Sequence, residues 1–162
     1  MAISKGDTLP DATLIENTDG GPKQVSLAER LKGRNVVIFA LPGAFTGTCT
    51  TAHVPSFIRT ADQFRAKGVD EIICLSVNDP FVMGAWDGQT GAGEAGITMM
   101  ADPSAEFTKA TGMNFTAPPV GLIDRSKRYA MYVVDGTVEV IQAEENPGVC
   151  ETSGGEALLE AI

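Results

Sequence analysis

Asn35 leads into Val36-Val37-Ile38-Phe39-Ala40-Leu41, an unbroken, β-rich apolar run that Pro42-Gly43 ends abruptly. A strand that is apolar at every position must be covered on both faces, which calls for helices on either side of a sheet. Beyond the loop to Thr48, the residues Val54, Phe57, Ile58, Ala61 and Phe64 recur at helical spacing. A helix is expected to about Lys67, closed by Gly68. Ile72 to Val77 is a second buried-type strand, so strand, loop, helix and strand alternate.

The pattern extends both ways. Ser26 and Glu29 stand at capping-box spacing, which predicts a short helix through Leu31 that stops at Gly33. Asn78-Asp79-Pro80 offers a cap and a helix-starting proline before Phe81, Val82 and Trp86, and Gly88 to Gly96 reads as a loop. Ile97 to Ala101 is a third strand, followed by a helix from Asp102-Pro103 to Gly112. Tyr129 to Val134 and Thr137 to Ile141 flank Asp135-Gly136, a hairpin signal that adds antiparallel strands, and a last helix runs from Gly155 to Ala161. No repeat or linker divides the chain. The expectation is one α/β domain over residues 1–162 with a mixed sheet flanked by helices, and 43% apolar residues suffice for its core.

Charge and cysteine usage narrow the function. With 12 Lys plus Arg against 21 Asp plus Glu, the net charge of -9 argues against nucleic acid or an anionic membrane as partner. The opening MAISKGDTLPDATL has neither the apolar run of a secretion signal nor an Arg-rich transit pattern, so a cytoplasmic location is expected. In a reducing compartment, Cys49, Cys74 and Cys150 read as thiols or redox residues rather than as a disulfide framework. A single His and scattered Cys give no metal cluster of recognised spacing, and no cofactor is implied.

Thr46-Gly47-Thr48-Cys49 lies between a buried strand and a helix, so a thiol at Cys49 sits near unpaired N–H groups and the positive helix end. A cysteine there can titrate below the free value of roughly 8.5, and thiolate character makes it a nucleophile. Position alone also allows a buried, inert cysteine.

The segment from Pro42 to Phe57, PGAFTGTCTTAHVPSF, resembles the active-site segment of type II, or peroxiredoxin-five-like, peroxiredoxins. Cys74-Leu75-Ser76-Val77-Asn78-Asp79-Pro80-Phe81-Val82, Ala101-Asp102-Pro103 and Arg125 to Met131 are similar to the same subfamily, in the same order along the chain. The resemblance implies a thioredoxin-like fold and reduction of hydrogen peroxide and small organic hydroperoxides by a peroxidatic cysteine at Cys49. Pro42, Thr46 and Cys49 fall on the family's Pro-x-x-x-Thr-x-x-Cys pattern, and its active-site arginine falls on Arg128. A guanidinium stabilises a thiolate and can hydrogen-bond the departing oxygen; Arg128 is expected to do so from a neighbouring strand. Thr46 can donate one hydrogen bond while accepting another, as a residue that orients the peroxide must, and Pro42 would shield the thiolate. Arg125, Lys127 and Thr48 are read as plain surface or loop residues. Many relatives carry Pro where this chain has Gly47, which gives the loop more freedom.

Turnover requires reduction of a Cys49 sulfenic acid. Cys74 stands where some relatives keep a second redox cysteine, but inside an apolar strand, where a buried thiol is the favoured reading. Cys150 lies in a turn-rich segment near the place of a resolving cysteine in other relatives, and is equally a site for glutathionylation. The external route, through glutathione with glutaredoxin or through thioredoxin, is preferred. The resemblance also implies a homodimer. Two rivals stand beside this reading: a Cys49–His53 hydrolase pair, and a non-enzymatic redox sensor. Gly91 to Gly96 formally satisfies G-x-G-x-x-G, yet it precedes a strand and is rejected as a dinucleotide site. Trp86 and Phe45 are open to pocket, interface or core roles.

Overall fold

The computed structural model describes all 162 residues. Two short strands, β1 (Thr13–Thr18) and β2 (Gly21–Ser26), precede α1 (Leu27–Leu31) and β3 (Asn35–Leu41). A π-helical turn (Cys49–His53) runs directly into α2 (Val54–Ala66), then β4 (Glu71–Ser76), α3 (Pro80–Thr90), β5 (Ile97–Ala101) and α4 (Glu106–Ala110). The last third holds β6 (Asn114–Ala117), β7 (Leu122–Ser126), β8 (Tyr129–Val134), β9 (Thr137–Ala143) and α5 (Gly155–Ala161). Seven strands form one sheet in the order β2-β1-β5-β4-β3-β8-β9, while β6 and β7 pair separately. No helix is long and apolar enough to cross a membrane.

Only β3, β4 and β5 are parallel neighbours; β1, β2, β8 and β9 join antiparallel, so the sheet is mixed as expected. The central strands are largely apolar because alternate residues serve different cores. Val37, Phe39 and Leu41 of β3 face one cluster with Phe57 and Phe64 of α2, Trp86 of α3 and Leu158 of α5. Val36, Ile38 and Ala40 face another with Leu27 and Leu31 of α1 and Phe107 of α4. Each fully buried side chain of this size contributes about 1.5–3 kcal/mol, so both layers are tightly anchored to β3.

Several boundaries differ from expectation for local reasons. The hairpin of β1 and β2 escaped prediction because only Leu14 and Val25 of its strands are buried. The helix expected from Asp102 begins only at Glu106, since the Asp102 carboxylate caps Phe107 and Thr108 from outside it. Gly88 belongs to α3, which continues to Thr90 and ends at Gly91 in the left-handed conformation. Ser26 caps α1 as its spacing predicts, accepting from the Glu29 N–H at 3.4 Å.

The pairing of β3 places the chemistry. Its antiparallel register with β8 sets Ala40 opposite Tyr129, so the start of the loop after Leu41 lies beside the residue preceding Tyr129. That residue is Arg128. It stands just before β8, between β7 and β8, rather than within a strand as expected.

Candidate active site

Four side chains pin the loop that leaves β3. The Ala44 N–H donates to Asn78 Oδ1 at 3.0 Å, and that oxygen also accepts from Ser76 Oγ at 2.6 Å. Thr46 Oγ1 donates to the Gly43 carbonyl at 2.7 Å, which leaves its lone pairs free to accept. Arg125 Nη1 donates to the Pro42 carbonyl at 3.2 Å, and Thr48 Oγ1 donates to the Gly148 carbonyl at 2.8 Å. Arg125 and Thr48 are therefore loop anchors, which corrects their reading as plain surface or loop residues without a role; Lys127 is exposed. Around Gly47 the space is open, with nothing within 4 Å of an added Cβ. Phe45 carries a positive φ of 65° and is half exposed, whereas Trp86 is buried and donates from Nε1 to Thr50 Oγ1 at 3.1 Å. Trp86 thus supports the turn from the core.

Cys49 opens the π-helical turn and is fully buried. Such turns are rare and concentrate at functional sites. Arg128, 2% exposed, reaches it with a spread guanidinium. Nη2 donates to Cys49 Sγ at 3.2 Å, Nη1 to His53 Nδ1 at 2.9 Å, and Nε to the Pro147 carbonyl at 3.0 Å. Arg128 makes no salt bridge to a carboxylate. A buried cation without a counter-charge is costly, and among its partners only the Cys49 sulfur can become an anion. The fixed fork of guanidinium donors suits this task in a way a lysine cannot reproduce.

His53 is committed on both nitrogens. Nδ1 accepts from Arg128 and Nε2 lies 3.0 Å from the Ser153 carbonyl, which assigns the proton to Nε2 in a neutral ring. Burial, reinforced by the Arg128 charge and only partly opposed by the Ser153 carbonyl, holds its pKa down to about 3. The one lone pair of such a ring is already engaged by Arg128 and is not free to take a proton from a nucleophile, which removes the hydrolase reading.

The remaining cysteines differ in setting. Cys74 is fully buried in β4, and burial, with the neighbouring Cys49, pushes its thiol well above the usual range. It remains a core thiol on the Cys49 side of the sheet. Cys150 is half-buried in the segment between β9 and α5; burial raises its pKa, only partly opposed by the Ser153 hydroxyl and the Arg128 charge. All three cysteines are free. No group of His, Cys, Asp and Glu is placed to hold a metal ion.

A cavity of about 320 Å³ is lined by Pro42, Thr46 and Arg128 together with Phe115, Val120 and Leu122. A larger hollow of about 600 Å³ holds neither Thr46 nor Arg128, so the position of the reactive groups, not size, identifies the site.

A buried thiol beneath a guanidinium, at the head of a helix on a thioredoxin-like sheet, defines a thiol-based redox enzyme. The comparisons with known proteins agree. The Redoxin family profile matches residues 4–159. Chloroplastic peroxiredoxin-2E-2 of Oryza sativa subsp. japonica is 47% identical over 99% of this chain and 72% of its own length. Peroxiredoxin-2D of Arabidopsis thaliana is 40% identical over 99% of this chain and 98% of its own. Reduced Prx3 from Vibrio vulnificus, solved in complex with hydrogen peroxide, superposes with a TM-score of 0.91 at 45% identity over 98% of each chain. Peroxiredoxin 5 from Alvinella pompejana gives 0.85 at 30% identity, covering 98% of this chain and 97% of its own. The chain belongs to the Redoxin family, as a peroxiredoxin of the type II, peroxiredoxin-five-like kind. Its activity is thiol-dependent reduction of peroxides.

Proposed function

We propose that Cys49 is the peroxidatic nucleophile, acting on hydrogen peroxide and small organic hydroperoxides with Thr46 and Arg128 as partners and Pro42 as a shield. The 3.2 Å hydrogen bond to Cys49 Sγ from Nη2 of Arg128, which lines the cavity, carries this reading. The thiolate attacks one peroxide oxygen, the O–O bond breaks, and the departing oxygen takes a proton to leave as water or an alcohol. Cys49 becomes a sulfenic acid. Arg128 favours the anionic sulfur and can follow the charge as it moves to the leaving oxygen. Thr46 Oγ1, bound to Gly43 as a donor, is free to accept the proton-bearing end of the peroxide. The apolar Phe115, Val120 and Leu122 suit the carbon end of an organic hydroperoxide.

The sulfenic acid is then reduced by an external thiol, glutathione with glutaredoxin or thioredoxin. The first thiol forms a mixed disulfide and releases water; a second thiol exchanges it and restores Cys49. The burial of Cys74 and the hydrogen-bonded segment around Cys150 favour this external route over an internal disulfide. Phe45, within the loop that Asn78 ties down, and Phe81, at the start of α3, are both exposed, which supports a homodimer closed through these side chains. Three free thiols fit the reducing cytoplasm.

Intact mass and peptide mapping after one equivalent of hydrogen peroxide test the scheme. A single oxygen on Cys49, removed by glutathione, is the expected result. A Cys49–Cys150 or Cys49–Cys74 disulfide overturns the external route, and an unreacted Cys49 overturns the catalytic assignment. Sedimentation velocity decides the dimer.

A further inference from the structure

Arg128, its partner His53 and Thr48, the residue before Cys49, share one feature outside the motif: each leans on the segment between β9 and α5 through a main-chain carbonyl. Arg128 Nε donates to Pro147, Thr48 Oγ1 to Gly148, and His53 Nε2 to Ser153. Carbonyls position a partner only as well as their own segment is held. This segment lies outside the sheet and carries the half-buried Cys150; Asn146 Oδ1 accepts from the Gly148 N–H at 2.8 Å in its first half, and its second half, Glu151 to Ser153, is held by one other side chain.

That side chain is Glu144. Its Oε2 accepts from the Glu151 N–H at 2.8 Å, from the Ser153 N–H at 2.7 Å and from Ser153 Oγ at 2.7 Å. Its own N–H donates to the Arg128 carbonyl at 2.9 Å, so the carboxylate is anchored beside the arginine it serves. Partial burial works against its ionisation, but the hydrogen bonds from Ser153 and Glu151 outweigh this and hold the carboxyl below the usual range. Ser153 is itself fully buried, and its hydroxyl lies 4.0 Å from Cys150 Sγ.

We propose that Glu144 is a positioning residue: its carboxylate folds the 145–154 segment so that its carbonyls hold Arg128 and His53 against Cys49 and keep Cys150 parked. The chain of contacts runs from the Glu144 carboxylate through Ser153 to His53, on to the Arg128 guanidinium, and ends at the sulfur. Its catalytic consequence rests on Cys49 being the peroxidatic residue; its effect on Cys150 does not.

The test compares wild type with Glu144→Ala, Glu144→Gln and the neighbouring exposed carboxylate variant Glu145→Ala, all reduced. Three quantities are measured: the rate of Cys150 alkylation by iodoacetamide, amide hydrogen exchange across residues 145–154, and the rate of reaction with hydrogen peroxide. Glu144→Ala is expected to speed Cys150 alkylation and slow the peroxide reaction by roughly tenfold each, the scale of losing charge-assisted hydrogen bonds. Segment exchange rises with them. Glu144→Gln retains an acceptor oxygen and recovers part of each quantity, which a merely structural loss of charge does not predict. Glu145→Ala matches wild type. Wild-type protection of Cys150 in Glu144→Ala overturns the proposal, as does a slowed peroxide reaction with the segment still protected. If Glu144→Ala does not fold, Glu144→Gln and Ser153→Ala replace it, and wild-type behaviour in both overturns the clamp. Should wild-type Cys49 fail to react with peroxide, the catalytic assignment falls, while Cys150 alkylation still decides the clamp.

Discussion

Lowering the pH from 7 to 5 should destabilise this protein through a single side chain. In the unfolded chain His53 titrates near 6.5, whereas in the folded one burial and the Arg128 charge hold it to about 3. Between those values the unfolded state binds a proton that the native state refuses, so stability falls as the pH falls. The contribution is fully present above pH 6.5 and is lost progressively towards pH 3. Integrated from pH 7 to 5, the loss is about 2 kcal/mol. A domain with a net stability of about 5–15 kcal/mol shows such a change plainly. Because the chain has one histidine, no second imidazole blurs the result. Urea unfolding of reduced protein at pH 7, 6 and 5, followed by Trp86 fluorescence and circular dichroism, measures it. His53→Gln should start less stable, having lost two well-placed partners, but its stability should fall by about 2 kcal/mol less over the same range. Carboxylates held low in the fold, such as Glu71 and Glu144, act alike in both proteins and cancel in the difference. Parallel pH curves for the two would refute the buried, neutral His53.

Three further outcomes follow from the same contacts. Arg128→Lys keeps the charge but cannot span Cys49, His53 and Pro147 at once; the rate constant with hydrogen peroxide, followed by stopped flow, should fall about 100-fold. Arg125→Ala removes one donor to the Pro42 carbonyl, and a net cost near 1 kcal/mol implies a drop of about fivefold in the same assay. Gly155→Ala drives a methyl group into the Ser56 carbonyl and to 2.5 Å from Thr60 Oγ1, so α5 must move off α2; chemical denaturation should show a loss of about 1–3 kcal/mol.

The sequence displays the centre of this fold more clearly than its edges, and the reason is burial. β3 and β5 match their apolar runs residue for residue, and β4 lies one residue from its run, because strands covered on both faces admit little else. Asp135-Gly136 likewise marks the hairpin of β8 and β9. The β1–β2 edge has few buried residues to betray it, although Asp19-Gly20 in its turn was a usable signal. In the site, Cys49, Thr46, Pro42 and Arg128 were legible through a motif that names side chains. Arg125 was not, since its partner is a main-chain carbonyl, and a carbonyl is the same at every position.

The same distinction explains how a buried cation is held against the sulfur on so small a frame. The antiparallel step from β3 to β8 brings Arg128 to the mouth of the Cys49 loop, but a strand end fixes only a Cα position, not the direction of a long side chain. Direction is supplied by acceptors at three points of the guanidinium, and two of them, His53 Nδ1 and the Pro147 carbonyl, have no charge. Neutral acceptors orient the cation without cancelling it. A carboxylate in either place would give Arg128 an anion of its own and weaken its pull on the sulfur. The depressed titration of His53 is therefore part of the site's design: only while the ring stays neutral can it accept from Arg128 and leave the full positive charge directed at Cys49.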